Sequence, residues 1–189
     1  MNLWLFHEIN GWSDTWAPFW VFFTEAANKT WFKIFAACLI VGMLSAKKQP
    51  RATIIQVLIA LALANFSTDC FKHLLPEHRP FQELSVYIMR AGKANSMGTA
   101  SAHAANMAAV AFVFTRRLKW WGTPWIAVAI LTGISRVYVG VHYPYQVLLG
   151  WICGIVAGLL VTMAWDRIAS SRKIVESREG EATVGEVNP

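Results

Sequence analysis

The chain has 189 residues, of which 56% are hydrophobic and only 15% are charged. A soluble domain of this length needs more charge on its surface, so the balance predicts an integral membrane protein. The net charge of +6 could suggest a nucleic-acid partner. However, the basic residues lie between apolar runs, as in the cytoplasmic loops of membrane proteins, and we expect no nucleic-acid binding. The three cysteines form no CxxC pair, so they predict neither a disulfide nor a metal site.

The N-terminal residues 3–23 carry many aromatic side chains but are ambiguous as a membrane span. They are interrupted by four polar or helix-breaking residues, Glu8, Asn10, Asp14 and Pro18. The uninterrupted stretch of about a dozen residues is too short to cross a bilayer comfortably. We therefore predict an aromatic interfacial helix in residues 1–28, with a short first span as the alternative.

Five apolar segments follow, each close to the roughly 20 residues that span a bilayer core. They are residues 30–46, 52–71, 99–115, 121–138 and 145–165. The sequence thus predicts an all-α, polytopic membrane helical bundle of five to six transmembrane helices, with its membrane domain at residues 29–166. Residues 167–189 are charged and lose apolar periodicity, which predicts a disordered cytoplasmic tail.

Basic residues cluster after the first, third and fifth segments and indicate the orientation. The clusters are Lys47, Lys48 and Arg51, then Arg116, Arg117 and Lys119, then Arg167, Arg172 and Lys173. With alternating crossings all three clusters lie on one side, which should be cytoplasmic. The loop at residues 72–98 and the turn at residues 139–144 should then face the outer side of the membrane.

Three polar stretches lie at that outer face: KHLLPEHRPF at residues 72–81, SMGTASAHAAN at residues 96–106 and SRVYVGVHYPYQ at residues 135–146. Among their residues are three cations, a serine and two histidines that could form one pocket, namely Lys72, Arg79, Arg136, Ser101, His103 and His142. Arginine gives phosphate a bidentate fork and lysine adds a point charge. Free N–H groups at the start of a helix add neutral donors. The set therefore predicts a phosphate pocket.

Taken one at a time, these residues also have structural explanations. Lys72 and Arg79 could be solvated loop charges. His103 could be a polar residue of the core, and His142 an interfacial side chain beside an aromatic belt. Arg136 is harder to explain in this way, because an arginine within a membrane segment is costly and tends to mark function. The structural explanation would have to hold for all three stretches at once, which favours the pocket.

The three stretches resemble the three signature motifs of the type 2 phosphatidic acid phosphatase superfamily. In this chain the motifs are Lys72 and Arg79-Pro80 separated by six residues, Ser101-x-His103, and Ser135-Arg136 separated by five residues from His142. The resemblance covers residues 30–166. The N-terminal stretch NLWLFHEING is also similar to that of the small bacterial undecaprenyl-diphosphate phosphatases.

The resemblance implies a helical membrane phosphatase domain at residues 29–166 that removes a phosphate from a lipid without a metal or other cofactor. By motif position, His142 would be the nucleophile that carries a phosphohistidine, and His103 would be the general acid for the leaving oxygen. The phosphate oxygens would be held by Lys72, Arg79, Ser101, Ala102 and Arg136. The chemistry is compatible, because phosphoryl transfer mainly demands positioning and charge stabilisation, which cations in a dry pocket can supply.

The chain departs from the family pattern at three positions. Ala100 replaces a proline and Ala102 replaces a glycine or aspartate, and both changes leave the serine and histidine of that motif in place. Gln146 stands where the family has an aspartate. A neutral group there predicts an enzyme that is slower than its relatives, inactive, or supported by another carboxylate such as Glu77 or Asp69. Gln146 could also have only a packing role.

Three functions stay open on the sequence. The leading one is a phosphatase for a lipid phosphate or diphosphate in the bacterial cytoplasmic membrane, with its active site on the periplasmic face. Undecaprenyl diphosphate is the favoured substrate, ahead of lipid A phosphates, phosphatidylglycerol phosphate and phosphatidate, so the expected partner is a polyprenyl phosphate or a membrane phospholipid. The second function is phosphotransfer from a lipid diphosphate to another lipid. The third, suggested by Gln146, is a lipid-phosphate-binding or transport protein with impaired catalysis.

Overall fold

The computed structural model describes residues 3–26, 29–45, 48–85, 87–92 and 96–185. This part of the chain contains eight α-helices and no strand, which confirms the predicted all-α class. The helices are α1 (Leu3–Asn10), α2 (Ala17–Glu25), α3 (Thr30–Ser45), α4 (Lys48–Leu74), α5 (Pro80–Glu83), α6 (Ala102–Leu118), α7 (Pro124–Tyr138) and α8 (Pro144–Gly185). Short 3-10 turns at Asp14–Trp16 and Lys119–Gly122 precede α2 and α7.

Every apolar segment predicted from the sequence is helical, but the number of membrane spans is not confirmed. Among the described residues, two helices are long and apolar enough to cross a membrane, Gln49–Leu74 of α4 and Pro144–Arg172 of α8. A third span would result if Asp14–Glu25 and Thr30–Ser45, which are bent by 47° relative to each other, form one crossing. α6 has 17 residues and α7 has 15. At 1.5 Å per residue, both are short for a hydrocarbon core of about 30 Å.

α6 lies at the centre of the bundle and packs against α4, α7 and α8. It approaches α8 closely, because Gly150, Gly154 and Gly158 recur one turn apart on the side of α8 that faces it. A Cβ atom at Gly154 would lie 2.1 Å from the carbonyl oxygen of Ala105, and one at Gly150 would lie 2.5 Å from that of Ser101. Small residues let helix backbones approach in membranes, and here they bring the start of α8 to the start of α6.

Arg117 connects three helices at the opposite end of the bundle. Its Nε donates to Oε1 of Gln56 on α4 at 2.7 Å, and its Nη2 donates to the carbonyl oxygen of Thr162 on α8 at 3.0 Å. Its Nη1 forms an ion pair of 2.7 Å with Asp166. Arg117 therefore holds α4, α6 and α8 together. The sequence analysis assigns it only to a cytoplasmic charge cluster.

The N-terminal residues differ from the single interfacial helix that the sequence predicts. α1 ends at Asn10, Gly11 follows it, and Pro18 lies in the first turn of α2, so two short helices form instead. Both helices pack against α7. The Asn10 Nδ2 donates to the carbonyl oxygens of Ile88 at 2.8 Å and Tyr138 at 2.9 Å, and its Oδ1 accepts from the Ile88 N–H at 2.8 Å. This side chain holds the N-terminal helices to the end of α7.

The C-terminal residues also differ from the prediction. α8 continues to Gly185, so residues 167–185 are helical where the sequence predicts disorder, and residues 186–189 lie outside the described part. No proline or glycine interrupts the chain between Gly158 and Gly180, and its arginine, lysine, glutamate and alanine residues are good helix formers. A helix that begins in the apolar segment can therefore continue through the charged one, since extending a helix costs less than nucleating it.

Candidate active site

The residues of the three motifs meet at one end of the bundle. Lys72 lies in the last turn of α4, Arg79 immediately before α5, Ser101 at the N-cap of α6, His103 in the first turn of α6, Arg136 in the last turn of α7, and His142 between α7 and α8. Two backbone hydrogen bonds join the loops that carry them. The Gly98 N–H donates to the Glu77 carbonyl at 2.8 Å, and the Ser101 N–H donates to the Gln146 carbonyl at 3.0 Å.

The His142 imidazole is buried and hydrogen-bonded at both nitrogens. Its Nε2 lies 3.1 Å from Nη1 of Arg79, and its Nδ1 lies 3.2 Å from the Gly98 carbonyl oxygen and 3.1 Å from Oε1 of Gln146. A guanidinium can only donate and a carbonyl can only accept. The network therefore places the proton on Nδ1 and the lone pair on Nε2.

The surroundings of His142 favour its neutral form. Burial is the main cause that lowers the pKa of His142 well below its usual value, and the charges of Arg136 and Arg79 lower it further. The hydrogen bond to Gln146 opposes this shift only in part. An imidazole in this turn is therefore unprotonated at neutral pH, which a nucleophile requires.

The Gln146 amide has a defined orientation. Its Nε2 donates to the His78 carbonyl oxygen at 3.0 Å and to Oη of Tyr145 at 3.3 Å, so its Oε1 faces His142. The same oxygen accepts from the Tyr143 N–H at 3.2 Å. Gln146 thus accepts from Nδ1 in the tautomer of His142 that leaves the lone pair on Nε2.

Neither of the carboxylates that the sequence analysis names as alternatives forms a hydrogen bond with His142 among the described residues. Asp69 forms an ion pair of 2.9 Å with Lys72, and the buried Oε2 of Glu77 has no hydrogen-bond partner there. Neither carboxylate contacts His142, because the Gly98 carbonyl and the Gln146 amide already occupy the Nδ1 side of the ring.

Gly98 is a site residue that the sequence analysis does not identify. Its carbonyl oxygen accepts from Nδ1 of His142, and its missing side chain lets neighbours approach. A Cβ atom there would lie 2.8 Å from Cγ of Arg79 and 2.9 Å from Nε2 of Gln146. The only signal in the sequence is a glycine three residues before Ser101, which is too common to be diagnostic.

Arg79 is buried, and all of its side-chain N–H groups have partners within the protein. Its Nε donates to the Ser96 carbonyl at 2.7 Å, and its Nη2 donates to Oγ of Ser96 at 3.1 Å and to the Met97 carbonyl at 3.3 Å. Its Nη1 donates to the Val141 carbonyl at 3.1 Å and to His142. Burial lowers the pKa of Arg79, although a guanidinium stays charged. A phosphate could bind Arg79 only by replacing one of these acceptors.

Arg136 differs from Arg79 in its hydrogen bonding. It is buried in the last turn of α7, and its Nε has no hydrogen-bond partner among the described residues. Its carbonyl oxygen accepts from the N–H groups of Val141 and His142, each at 3.2 Å, which folds the turn that carries His142 back over the end of α7. A buried cation with an unpaired donor is costly, and an anion beside Arg136 would lower that cost.

The remaining predicted residues lie around this pair. Lys72 is mostly buried and pairs with Asp69, and the charges of Arg136, Arg79 and Lys72 all act on the half-buried His103. Ser101 caps α6, where its Oγ accepts from the Ala104 N–H at 3.5 Å. Ala102 follows as the first residue of the helix, so its N–H has no acceptor within the helix and is free for a ligand.

Arg90 supports the site from outside, and its role is not apparent from the sequence. Its Nη1 donates to the carbonyl oxygens of Asn10 at 2.7 Å and Tyr138 at 3.0 Å. Its Nε pairs with Asp14 at 2.7 Å, and its guanidinium carbon lies 4.2 Å from the centre of the Tyr138 ring. Arg90 therefore fixes the chain just after Arg136 against the N-terminal helices.

Fold and site together define a class of protein, a helical membrane protein that gathers three cations and two histidines at one end of its bundle. A family model described as the PAP2 superfamily matches residues 53–169, which is more than half of the chain. The chain therefore belongs to the PAP2 superfamily, and by class it is a membrane lipid phosphatase. The resemblance drawn from the three motifs is confirmed.

Relatives with lipid phosphatase names cover much of the chain. YbjG of Escherichia coli (strain K12), provisionally named an undecaprenyl-diphosphatase, is 30% identical over 166 residues, which are 87% of this chain and 83% of YbjG. An undecaprenyl-diphosphatase of Sulfolobus acidocaldarius is 30% identical over 126 residues, 66% of this chain and 58% of that protein. The lipid A 4'-phosphatase of Bacteroides thetaiotaomicron is 27% identical over 157 residues, 76% of this chain and 69% of that protein.

Two solved structures share the fold. LpxE of Aquifex aeolicus superposes with a TM-score of 0.73 at 21% identity, covering 86% of this chain and 94% of that chain. A PAP2-type phosphatidylglycerolphosphate phosphatase of Bacillus subtilis superposes with a TM-score of 0.68 at 19% identity, covering 89% of each chain. At this identity the likeness concerns the arrangement of the helices.

Proposed function

We propose that this chain hydrolyses a lipid phosphate or diphosphate, with undecaprenyl diphosphate as the favoured substrate, through a phosphohistidine on His142. The observation that carries the proposal is the oriented, neutral imidazole of His142, whose Nε2 lone pair lies 3.1 Å from the guanidinium of Arg79. A neutral imidazole beside buried cations is suited to attack on a phosphate group. The relatives named for undecaprenyl diphosphate support the choice of substrate.

Binding of the phosphate would begin at Arg136, whose Nε has no hydrogen-bond partner in the part of the chain that the structure describes. A phosphate oxygen next to His142 can replace Nε2 as an acceptor for Nη1 of Arg79, which frees the Nε2 lone pair. Lys72 and the free N–H groups at the start of α6, near Ser101 and Ala102, supply further positive charge and donors.

In the first chemical step, the Nε2 lone pair of His142 attacks phosphorus. A P–N bond forms while the P–O bond to the leaving group breaks. The bound phosphate anion offsets the charges of Arg136, Arg79 and Lys72, so that His103 can hold a proton, which it gives to the leaving oxygen. The Nδ1–H of His142 stays bonded to Gly98 and Gln146, which share the positive charge that develops on the ring.

In the second step, a water molecule attacks phosphorus of the phosphohistidine. The neutral His103 left by the first step takes a proton from this water, and the P–N bond breaks. The electron pair of that bond returns to Nε2 of His142 as phosphate leaves. Both histidines then have their starting protonation states.

The proposal requires no metal ion, because the charge of the phosphate is balanced by arginine and lysine. Among the described residues, no three His, Cys, Asp or Glu side chains are grouped so that they could hold a metal. The cations around His142 supply the electrostatic stabilisation that Mg²⁺ provides in many phosphoryl-transfer enzymes.

The proposal is tested by measuring phosphate release from undecaprenyl diphosphate by the purified protein in excess EDTA. We expect activity to persist, His142→Ala to abolish it together with the phosphoenzyme, and His103→Ala to slow it most for poor leaving groups. Loss of activity that Mg²⁺ restores, or near wild-type turnover of His142→Ala, would contradict the mechanism. Adding an acceptor lipid and following transferred phosphate distinguishes hydrolysis from phosphotransfer.

We also propose that the chain is a multi-pass protein of the bacterial cytoplasmic membrane with five to six spans and its active site on the periplasmic face. The basic clusters support this orientation, because Arg116 and Arg117 lie at the end of α6 opposite to Ser101 and His103.

A further inference from the structure

The N-terminal helices α1 and α2 contact residues 135–146, which carry the third motif, although they lie outside the segment that the family model matches, which begins at residue 53. Three of their side chains make these contacts and are buried, namely Phe6, Asn10 and Thr24. Each of them contacts a close neighbour of Arg136 or His142 in the chain, and these neighbours are Ser135, Tyr138 and Tyr143. The two side chains on which the proposed function depends therefore lie, along the chain, between contacts with the N-terminal helices.

Asn10 uses both ends of its side-chain amide to hold backbone groups. Its Nδ2 donates to the carbonyl oxygen of Tyr138 at 2.9 Å and to that of Ile88 at 2.8 Å, and its Oδ1 accepts from the Ile88 N–H at 2.8 Å. Tyr138 is the last residue of α7, so its carbonyl oxygen receives no hydrogen bond from within that helix. Asn10 therefore caps α7 at the point where the chain turns towards His142.

The turn that follows α7 lies directly against the segment that Asn10 holds. Gly140 in this turn has a φ of +81°, and a Cβ atom there would lie 2.5 Å from the carbonyl oxygen of Ile88. Any other residue at this position would be strained by its backbone conformation as well as by this contact. Because the contact leaves no space, a displacement of Ile88 that follows from the loss of Asn10 also displaces the turn. This turn leads directly to His142.

Thr24 makes a second polar contact, at the beginning of the third motif. Its Oγ1 lies 2.8 Å from Oγ of Ser135. The Ser135 hydroxyl group donates to the Thr132 carbonyl oxygen at 2.7 Å, so the hydroxyl group of Thr24 is the donor to Ser135. Ser135 immediately precedes the buried Arg136, and this bond therefore fixes α2 to the last turn of α7 beside that arginine.

We propose that α1 and α2 are part of the catalytic machinery of this chain, with Asn10 and Thr24 as positioning residues that hold His142 in line with the bound phosphate. This inference rests on the proposed function, since it takes His142 as the nucleophile. In-line attack requires the nucleophile within about 3–3.5 Å of phosphorus, and a displacement of about 1 Å can lower the rate on the order of 10²-fold. His142 lies in the turn between α7 and α8 rather than within a helix, so contacts that fix this turn also fix the imidazole.

A positioning role predicts a specific pattern of inhibition. Inorganic phosphate, the product, would be held by cations from several parts of the bundle, so its binding should change little when His142 moves. Orthovanadate adopts the five-coordinate geometry of the transition state and would take Nε2 of His142 as an axial ligand, so its binding requires the same alignment as the reaction. Partial unfolding, in contrast, would lower the amount of active protein and leave both inhibition constants unchanged.

Asn10→Ala removes the three hydrogen bonds of the amide and tests the proposal in the purified full chain. With undecaprenyl diphosphate in mixed micelles, we expect kcat to fall about 10-fold and the inhibition constant of orthovanadate to rise about 10-fold, while that of phosphate changes less than about twofold. Thr162→Val is the control, because Thr162 is also buried and its hydroxyl group donates to the Leu159 carbonyl oxygen of its own helix at 3.0 Å. It should change none of these quantities. Melting temperature and folded fraction are measured for each variant.

Thr24 provides a second test, which does not depend on the folding of Asn10→Ala. Thr24→Val keeps the shape of the side chain and removes the hydroxyl group that donates to Ser135. It should produce the same pattern with changes of about threefold in kcat and in the inhibition constant of orthovanadate. Thr24→Ser keeps the hydroxyl group and should restore the wild-type values.

Three results would overturn the positioning proposal while leaving the phosphatase intact. They are an unchanged kcat in folded variants, an equal rise in both inhibition constants, and a lower kcat that the folded fraction alone explains. If the wild type releases no phosphate, the proposed function fails. In that case, or if orthovanadate does not inhibit, the imidazole nitrogen NMR signals of His142 are followed, assigned by comparison with His142→Gln. Asn10→Ala and Thr24→Val should shift these signals, and signals that match those of wild type and Thr162→Val would refute the positioning role.

Discussion

His142 is oriented by two neutral oxygen atoms, the carbonyl of Gly98 and the amide of Gln146. These acceptors are enough to keep the proton on Nδ1 and the lone pair on Nε2. They stabilise the positive charge that develops on the ring less than a carboxylate would, because hydrogen bonds to charged groups are stronger. In this site the histidine is thus well oriented, whereas its charged form is only weakly stabilised.

We expect Gln146→Asp to raise the rate of phosphate release about 10-fold, or about 1.4 kcal/mol of barrier. Aspartate is one methylene shorter than glutamine, so its carboxylate can reach towards His142 without facing the His78 carbonyl, to which Gln146 donates. Gln146→Glu keeps the length and should gain less, because it places a carboxylate oxygen against that carbonyl. Turnover and melting temperature are measured together. A rate at or below wild type in a folded Gln146→Asp would show that charge here is not limiting.

We expect the folding stability of the protein to fall at acidic pH, and His142 to be one cause of this fall. Its pKa is lowered by burial and by Arg136 and Arg79, so below the usual histidine pKa of about 6.5 the unfolded chain takes up a proton here that the folded chain does not. This proton uptake by the unfolded chain destabilises the folded protein. The destabilisation is absent above a pH of about 6.5 and grows as the pH falls. Lowering the pH from about 7.5 to about 5 should therefore reduce the melting temperature more in wild type than in His142→Gln. An equal reduction in both proteins would argue against a buried neutral histidine.

Motif spacing predicts the site residues that act through side chains, because Arg136, His142 and Gln146 lie close together in the chain. It cannot predict the acceptors of Arg79, because Ser96 and Met97 contribute carbonyl groups that any residue possesses. For the same reason, the sequence does not distinguish Arg136, whose Nε has no partner among the described residues, from Arg79, whose side-chain N–H groups all have acceptors. Only the folded loops show which of the two arginines has its donors paired within the protein.

At the scale of helices, the contact between α6 and α8 sets the distance between the second and third motifs. The Ser101 N–H donates to the Gln146 carbonyl at 3.0 Å, one turn before the glycine contacts of α8 begin at Gly150. Any change that separates these two helices therefore also displaces His142 from the start of α6. Packing in the membrane interior and geometry at the active site are coupled through this contact.

We expect Gly154→Ala to destabilise the protein by about 1–3 kcal/mol, the usual cost of overpacking, and to lower turnover as well. Its Cβ atom would lie 2.1 Å from the Ala105 carbonyl oxygen, so the helices must separate. Gly42→Ala on α3 is the matched control, because no heavy atom lies within 4 Å of a Cβ atom there. Unfolding in detergent and phosphate release are measured for both. Equal stability of the two variants would show that α6 and α8 tolerate a wider separation.

Apolar periodicity predicts where helices lie in this chain, because each apolar segment becomes a helix. It predicts their ends less well, since the ends depend on local chemistry. α8 passes its apolar segment because nothing breaks it before Gly180, and Gly11 with Pro18 divides the N-terminal region into α1 and α2. The packing of these two helices against α7 depends on Asn10 and Arg90, whose contacts are distant in sequence.

At the scale of the whole molecule, the two ends of the bundle have different chemistry. One end holds the histidines and cations of the active site, and the other holds Arg116 and Arg117, which pair with Asp166. A lipid headgroup at one membrane face with its chain along the helices is the arrangement that this polarity favours.

Labelling of single cysteines tests both the orientation and the number of spans. Position 75 follows α4, position 121 follows α6, and position 172 follows the apolar part of α8. Leu75 is 59% exposed and Trp121 is 84% exposed. The native cysteines to be replaced by alanine are Cys38, Cys70 and Cys153. An impermeant maleimide should label Leu75→Cys in intact cells, but Trp121→Cys and Arg172→Cys only after permeabilisation, because α6 and α8 would each cross the membrane and α7 would return. Labelling of position 121 without permeabilisation would show that α6 does not span, and labelling of position 172 would reverse the orientation.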